Sequence, residues 1–194
     1  NLTANQVTEI FGLPTEIDPL SFNPFATDAF PADALAVEKV NQQIMTVVTS
    51  FAAAAEGAGG SEAASFAAAM KSVVDVVTAK AAEAVSSGVV VTMDLSNADD
   101  LAAIQAKAET AMADVDGVDT TAFNNMATAT AEKVKDVNLL IKAIEDRDLN
   151  SAASKNIFTT SQVLADQVQT AVAAEVVSEG SGSIDTFTAA TVAG

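Results

Sequence analysis

The sequence predicts an all-α protein: an up-down bundle of four to five long helices, preceded by a short helix and a Pro/Phe-rich lasso. Three observations predict it. Apolar residues recur at helical three- and four-residue steps in four stretches, Val37 to Phe51, Phe66 to Val77, Phe123 to Ile144 and Leu164 to Val172. All four prolines, Pro14, Pro19, Pro24 and Pro31, fall in one short segment, so no helix breaker of that kind interrupts the rest. Hydrophobic residues make up 49% of the 194, mostly Ala and Val with nine Phe as the only aromatics, and small side chains pack best between closely approaching helices.

Each element has its own signal. Thr3 and Gln6 stand at capping-box spacing ahead of Val7, Ile10 and Phe11, and Gly12 with Pro14 stops this short helix. From Leu13 to Pro31 the prolines alternate with Ile17, Leu20, Phe22, Phe25 and Phe30. Such a segment continues neither a helix nor a central strand, yet its large apolar side chains favour an ordered lasso, with Phe22, Phe25 and Phe30 clamped to its own core, the alternative being a partner-binding patch.

A helix over Asp33 to Glu56 places Val37, Val40, Ile44, Val47, Val48 and Phe51 inward and Glu38, Lys39, Asn41, Gln42 and Gln43 outward. After Gly57 to Gly60, Ser61 caps a second long helix to about Ser87, with Phe66, Met70, Val73, Val74 and Val77 inward and Gly88 as its stop. The β-branched run 89–95 reads as an extended connector, since a lone strand has no partner. Ser96 with Asp99 starts a third helix to about Asp114, striped by Leu101, Ile104, Ala108 and Met112.

Asp119 or Thr120 caps a fourth helix to about Asp146, with Phe123, Ala127, Val134, Val137, Ile141 and Ile144 inward. A polar break, Arg147 to Asn156, precedes a fifth helix from about Thr160 to Val177. Residues 1–177 thus form a single helical domain, with 1–31 the short helix and lasso and 32–177 the bundle. The Gly- and Ser-rich stretch 178–194 reads as a flexible linker or tail.

Composition narrows the function classes. The chain has no His, Cys, Trp or Tyr, which removes most general acid/base, nucleophilic and soft-metal chemistry, and no nucleophile-elbow, phosphate-loop or zinc motif is present. A non-catalytic role is expected. The net charge of −17, with Arg147 the only arginine, disfavours nucleic acid and anionic membrane surfaces while attracting cations. Residues 1–30 carry no signal-peptide pattern, and no stretch reaches the roughly 18 apolar residues of a membrane span. Partners are then proteins or neighbouring domains of a longer chain.

Calcium is the one candidate cofactor. Asp114, Asp116 and Asp119 concentrate three carboxylates around Gly117, a hard-cation pattern. The turn fails as an EF-hand, because Met112 and Phe123 occupy the first and last ligand positions, so binding there is expected to be weak, about 10⁻⁴ to 10⁻³ M. As an inter-helix turn, Asp119 caps and Asp116-Gly117 bends the chain. A second acidic group, Glu145, Asp146, Asp148 and Asn150, sits at a helix end, where Arg147 and solvent balance it.

Ile10-Phe11-Gly12-Leu13-Pro14, then Ile17-Asp18-Pro19-Leu20-Ser21-Phe22-Asn23-Pro24 and Asp33-Ala34-Leu35-Ala36-Val37-Glu38-Lys39-Val40, resemble a helical segment of large secreted bacterial surface proteins of the RTX adhesin type. The resemblance covers residues 5–56, with Asn23 in place of an expected Asp. It implies a non-catalytic adhesin or spacer module outside the cell or on the bacterial surface. A calcium- or small-ligand-binding helical module is the alternative.

Overall fold

Helix ends fall where short-range chemistry places them. The computed structural model describes residues 2–26, 30–145 and 151–190, with the backbone alone at 152–154, 157 and 158. Within these the chain forms α1 (Ala4–Ile10), α2 (Pro31–Gly57), α3 (Glu62–Ser87), α4 (Ala98–Met112), α5 (Thr120–Lys142) and α6 (Ala152–Val177), with no strand among the described residues. Thr3 and Gln6 close the capping box of α1 reciprocally. Pro31 opens α2, where its fixed φ suits the first turn, and Gly88 ends α3 at φ +68°. Asn97, one residue later than expected, caps α4, because the Ser96 hydroxyl is spent on Asp94. α6 begins two turns earlier than the polar break suggested, and α5 stops at Lys142 rather than near 146. Of the second acidic group, Asp146, Asp148 and Asn150 lie outside the described residues.

The long helices form an up-down bundle. Consecutive helices from α2 to α6 pack on one another through short connections, and α2 also packs on α5 and α6, so α2 is the central element. From Thr46 to Ala55 every side chain except Thr49 is buried, which is the pattern of a helix covered on all sides. Ala52, Ala53, Ala54 and Ala55 make that possible by letting neighbouring backbones come close. At Gly57 an added Cβ would lie 2.3 Å from the Gln169 carbonyl oxygen of α6.

A central α2 explains three departures from the expected faces. Glu38 and Gln43, placed outside by periodicity, are buried: Glu38 accepts from Gln42 at 2.8 Å, and Gln43 donates to the Asn138 carbonyl of α5 at 3.0 Å. Ile44 is only half-buried. On α3, Phe66 and Val74 point outward. The buried line there runs through Ser65, Ala68, Ala69, Ser72 and Val73, and a Phe on that line would hold α3 away from its neighbours.

The segment after α6 is not a loose tail over its described length. Residues 178–190 turn back along α5 and α6, burying Ile184, Phe187 and Ala189 in the main core. The Lys133 ammonium of α5 donates to the Phe187 carbonyl at 3.2 Å. The buried Glu175 carboxylate accepts the amides of Gly180 and Gly182, each at 2.9 Å, and the Asn125 side-chain amide at 2.9 Å. Glycine composition alone suggested a linker, whereas here glycine lets the backbone close on α6: a Cβ on Gly182 would meet the Ala171 carbonyl at 2.7 Å.

These contacts generate two predictions. Ile141 is fully buried and Ile44 only half-buried, so Ile141→Asp should cost several kcal/mol, about 3 or more, and Ile44→Asp clearly less, as read by urea denaturation. The Gly180, Gly182 and Asn125 donors hold the Glu175 carboxyl below the ordinary carboxylate range. Its anchorage is therefore complete above that range and is lost as pH falls through the lowered native value. The stability gap between wild type and Glu175→Gln should be widest near neutral pH and close on acidification from about pH 5 towards pH 2, measured by urea midpoints at each pH.

Candidate interaction surface

α2 and α3 are 27 and 26 residues long and antiparallel, so the start of α2 and the end of α3 share one end of the bundle, roughly 40 Å from the other. The lasso covers part of this end. Leu13 and Ile17 bury against Val37 of α2, with Phe22 partly covered beside them. Asp18 organises the next turn by accepting the Leu20 amide and the Ser21 hydroxyl, each at 3.0 Å.

The connector 88–97 is stitched across the same end by groups from four helices. Its Met93 amide donates to the Ile10 carbonyl at 2.7 Å, and its Leu95 carbonyl accepts from the buried Asn138 side chain at 2.7 Å. The Asp94 amide donates to Asp100, which pairs with Lys80 at 2.7 Å, and the Asp94 carboxylate pairs with Lys142 at 2.6 Å. Extended backbone is satisfied here without a partner strand. Burial pushes the Asp94 carboxyl up, but hydrogen bonds from Lys142 and Ser96 outweigh it and hold the group below its usual range. The Lys39 ammonium donates to the Lys142 carbonyl at the end of α5; burial pulls its pKa down, with Glu145 opposing.

The lasso does not bury everything it carries. Leu20 is 84%, Phe25 58% and Phe30 73% exposed, and Val85, Val89 and Val90 at the end of α3 are 74%, 64% and 67% exposed. Among the described residues seven large apolar side chains are more than half exposed, and six of them lie at this end, the seventh being Val177. The expected clamping of Phe25 and Phe30 is thereby corrected. Phe30 stands at the N-cap of α2 with extended backbone, and the bundle's own core at this end is already filled by Leu13, Ile17 and Val37. Two hollows open beside these residues. One, of about 310 Å³, lies between Gln6 and Glu9 of α1 and Val85, Val89 and Val90. The other, of about 560 Å³, is walled by Glu16, Asp18, Phe22 and Phe30.

The acidic turn lies at the opposite end. Asp114, Asp116 and Asp119 are all exposed. One Asp119 oxygen is engaged in capping α5, accepting the Thr121 and Ala122 amides at 3.0 and 3.1 Å. Among the described residues no three acidic side chains gather into a group that could hold a metal ion, so the structure does not bring these three together. The bend itself follows from packing: Asp119 donates its amide to the Ala58 carbonyl at 2.7 Å, and a Cβ on Gly117, whose φ is +86°, would crowd the Gly59 carbonyl at 2.9 Å.

Sequence reasoning did not single out Val85, nor the roles of Asn138 and Glu175. A signal existed for the last two, since each sits among the apolar positions of its helix, beside Val137 and Ile141 or three residues after Val172. No helix among the described residues is long and apolar enough to cross a membrane. No protein-family model, curated protein or solved structure gives a significant match to the chain. What this end offers chemically is apolar area walled by carboxylates.

The placement of the acidic turn makes a stability prediction. Asp119→Ala should cost about 1 kcal/mol through loss of the α5 cap. Asp114→Ala and Asp116→Ala should each stay within about 0.5 kcal/mol, all by urea denaturation. Calcium ligation by the turn would show instead as a melting-temperature rise exceeding that from magnesium at matched ionic strength and abolished by Asp116→Asn.

Proposed function

We propose that the chain is a non-catalytic interaction module of an extracellular bacterial surface protein, an adhesin or spacer element that docks a protein through the lasso end of its bundle. The observation that carries this reading is the segregation of exposed apolar side chains. Among the described residues six of the seven most exposed lie at one end, where Asp18, Asn23, Asp94 and Asn138 tie the lasso and connector by hydrogen bonds. Exposed apolar patches rimmed by polar residues are a common mark of protein contact. The lack of His and Cys, the strong acidity and the resemblance of residues 5–56 to RTX adhesin-like exoproteins support the non-catalytic, extracellular part of the reading.

The triple substitution Leu20→Ser, Phe25→Ser and Phe30→Ser tests it. Because these side chains are largely exposed, the variant should keep its fold, with a stability change of about 0.5 kcal/mol or less per site. Displayed on a bacterial host, wild type should promote attachment between cells or to a protein-coated surface, and the variant should lose it. Equal attachment by both forms refutes docking through this end.

A further inference from the structure

Both hollows at the lasso end combine apolar walls with carboxylates. Glu9 shares one with Val85, Val89 and Val90, and Glu16 and Asp18 share the other with Phe22 and Phe30. All three carboxylates are exposed, and none takes part in an ion pair among the described residues. Three lysines near this end are engaged within the chain, Lys80 with Asp100, Lys142 with Asp94 and Lys39 with the Lys142 carbonyl. A purely apolar partner seated here would strip water from Glu9, Glu16 and Asp18 without replacing it, a cost that grows with every carboxylate covered. A second copy of this chain would bring the same three carboxylates and another −17 of charge to the contact.

Resting on the docking reading above, we infer that the occupant of the lasso end is a cationic amphipathic protein segment. Its apolar side chains meet Leu20, Phe25, Phe30 and the Val85–Val90 corner, and its Lys or Arg side chains meet Glu9, Glu16 and Asp18. The carboxylates select the partner and the apolar residues hold it.

The test uses the intact chain and synthetic amphipathic peptides of one Leu pattern, each carrying a single Trp and differing only in having Lys, Gln or Glu on the polar face. The chain has no Trp or Tyr, so peptide Trp fluorescence reports binding without background from the protein. One variant removes the local carboxylates (Glu9→Gln, Glu16→Gln, Asp18→Asn); Asn keeps an acceptor for the Leu20 amide. A control variant removes three from the opposite end (Asp114→Asn, Asp116→Asn, Glu179→Gln), so both variants carry the same net charge.

The Lys peptide should bind at least tenfold more tightly than the Gln peptide. That affinity should fall at least tenfold in the lasso-end carboxylate variant and in the Ser triple variant, and change less than twofold in the control. It should also weaken as salt rises to about 0.5 M, where screening shortens the reach of the carboxylates. Equal losses in the control and the lasso-end variant would mean that net charge alone attracts the peptide, and would overturn the inference. Failure of the Lys peptide to bind would overturn it as well. Equal binding of Lys and Gln peptides, both lost in the Ser triple variant, would overturn the cationic partner while leaving docking through this end intact.

Discussion

The close approach of α2 to its neighbours is the constraint on which the rest of the structure depends. A helix packed against α3, α5 and α6 has no outward face to spare between Thr46 and Ala55, and only small side chains let the neighbours reach it. Ala52 to Ala55 and Gly57 supply that, and Gly57 does so at backbone contact distance from Gln169. Small side chains bury little area each, so density replaces bulk as the source of cohesion. Phe51 and Phe123, both fully buried, add bulk beside that stretch, with their ring centroids 6.4 Å apart.

Tight helix packing leaves the irregular segments to be held by polar groups brought in from the helices. Asn138 reaches from α5 to the connector, and Glu175 gathers the backbone of 180–182 around itself. Both are buried, so the Asn138 NH2 group and the Glu175 carboxylate are favourable only because their partners are in place; unpaired, either would cost more than it contributes. The hydroxyls of Thr46, Ser72 and Thr130 follow the same economy by donating to carbonyls one turn back in their own helices. The two ends of the bundle therefore differ in kind. One is closed by glycine-rich turns in backbone contact, and the other by a lasso and connector that leave apolar side chains outside.

The charge distribution reinforces that asymmetry. A net charge of −17 sets mutual repulsion against the attraction between exposed Leu20, Phe25 and Phe30 of different copies. Lys80 and Lys142 near the lasso end are used internally, tying the connector to α3, α4 and α5. Carboxylates at Glu9, Glu16 and Asp18 are left facing water beside the apolar residues. This pairing of area with charge is the basis of the partner proposed.

The sequence by itself determined the helical class, the order of the long helices and most of their ends, because caps, glycine stops and the 3.6-residue stripe act over one or two turns. Thr3 with Gln6, Gly88 and Asp119 were legible for that reason, and so were the inward lines of α4 and α5. Of the candidate surface, the sequence marked Phe22, Phe25 and Phe30 as either a clamp or a partner-binding patch without deciding between them. Only the tertiary structure decided which helix is central, hence that Glu38 and Gln43 are buried and Phe66 and Val74 are not. It also decided that 178–190 is anchored rather than loose, and that the exposed apolar residues of the lasso and of α3 share one end. Each of these depends on contacts between residues far apart in the chain, such as Gln43 with Asn138 or Asn125 with Glu175. Periodicity reports that a side chain is apolar or polar at its place on one helix; what stands opposite it is fixed only when the helices pack.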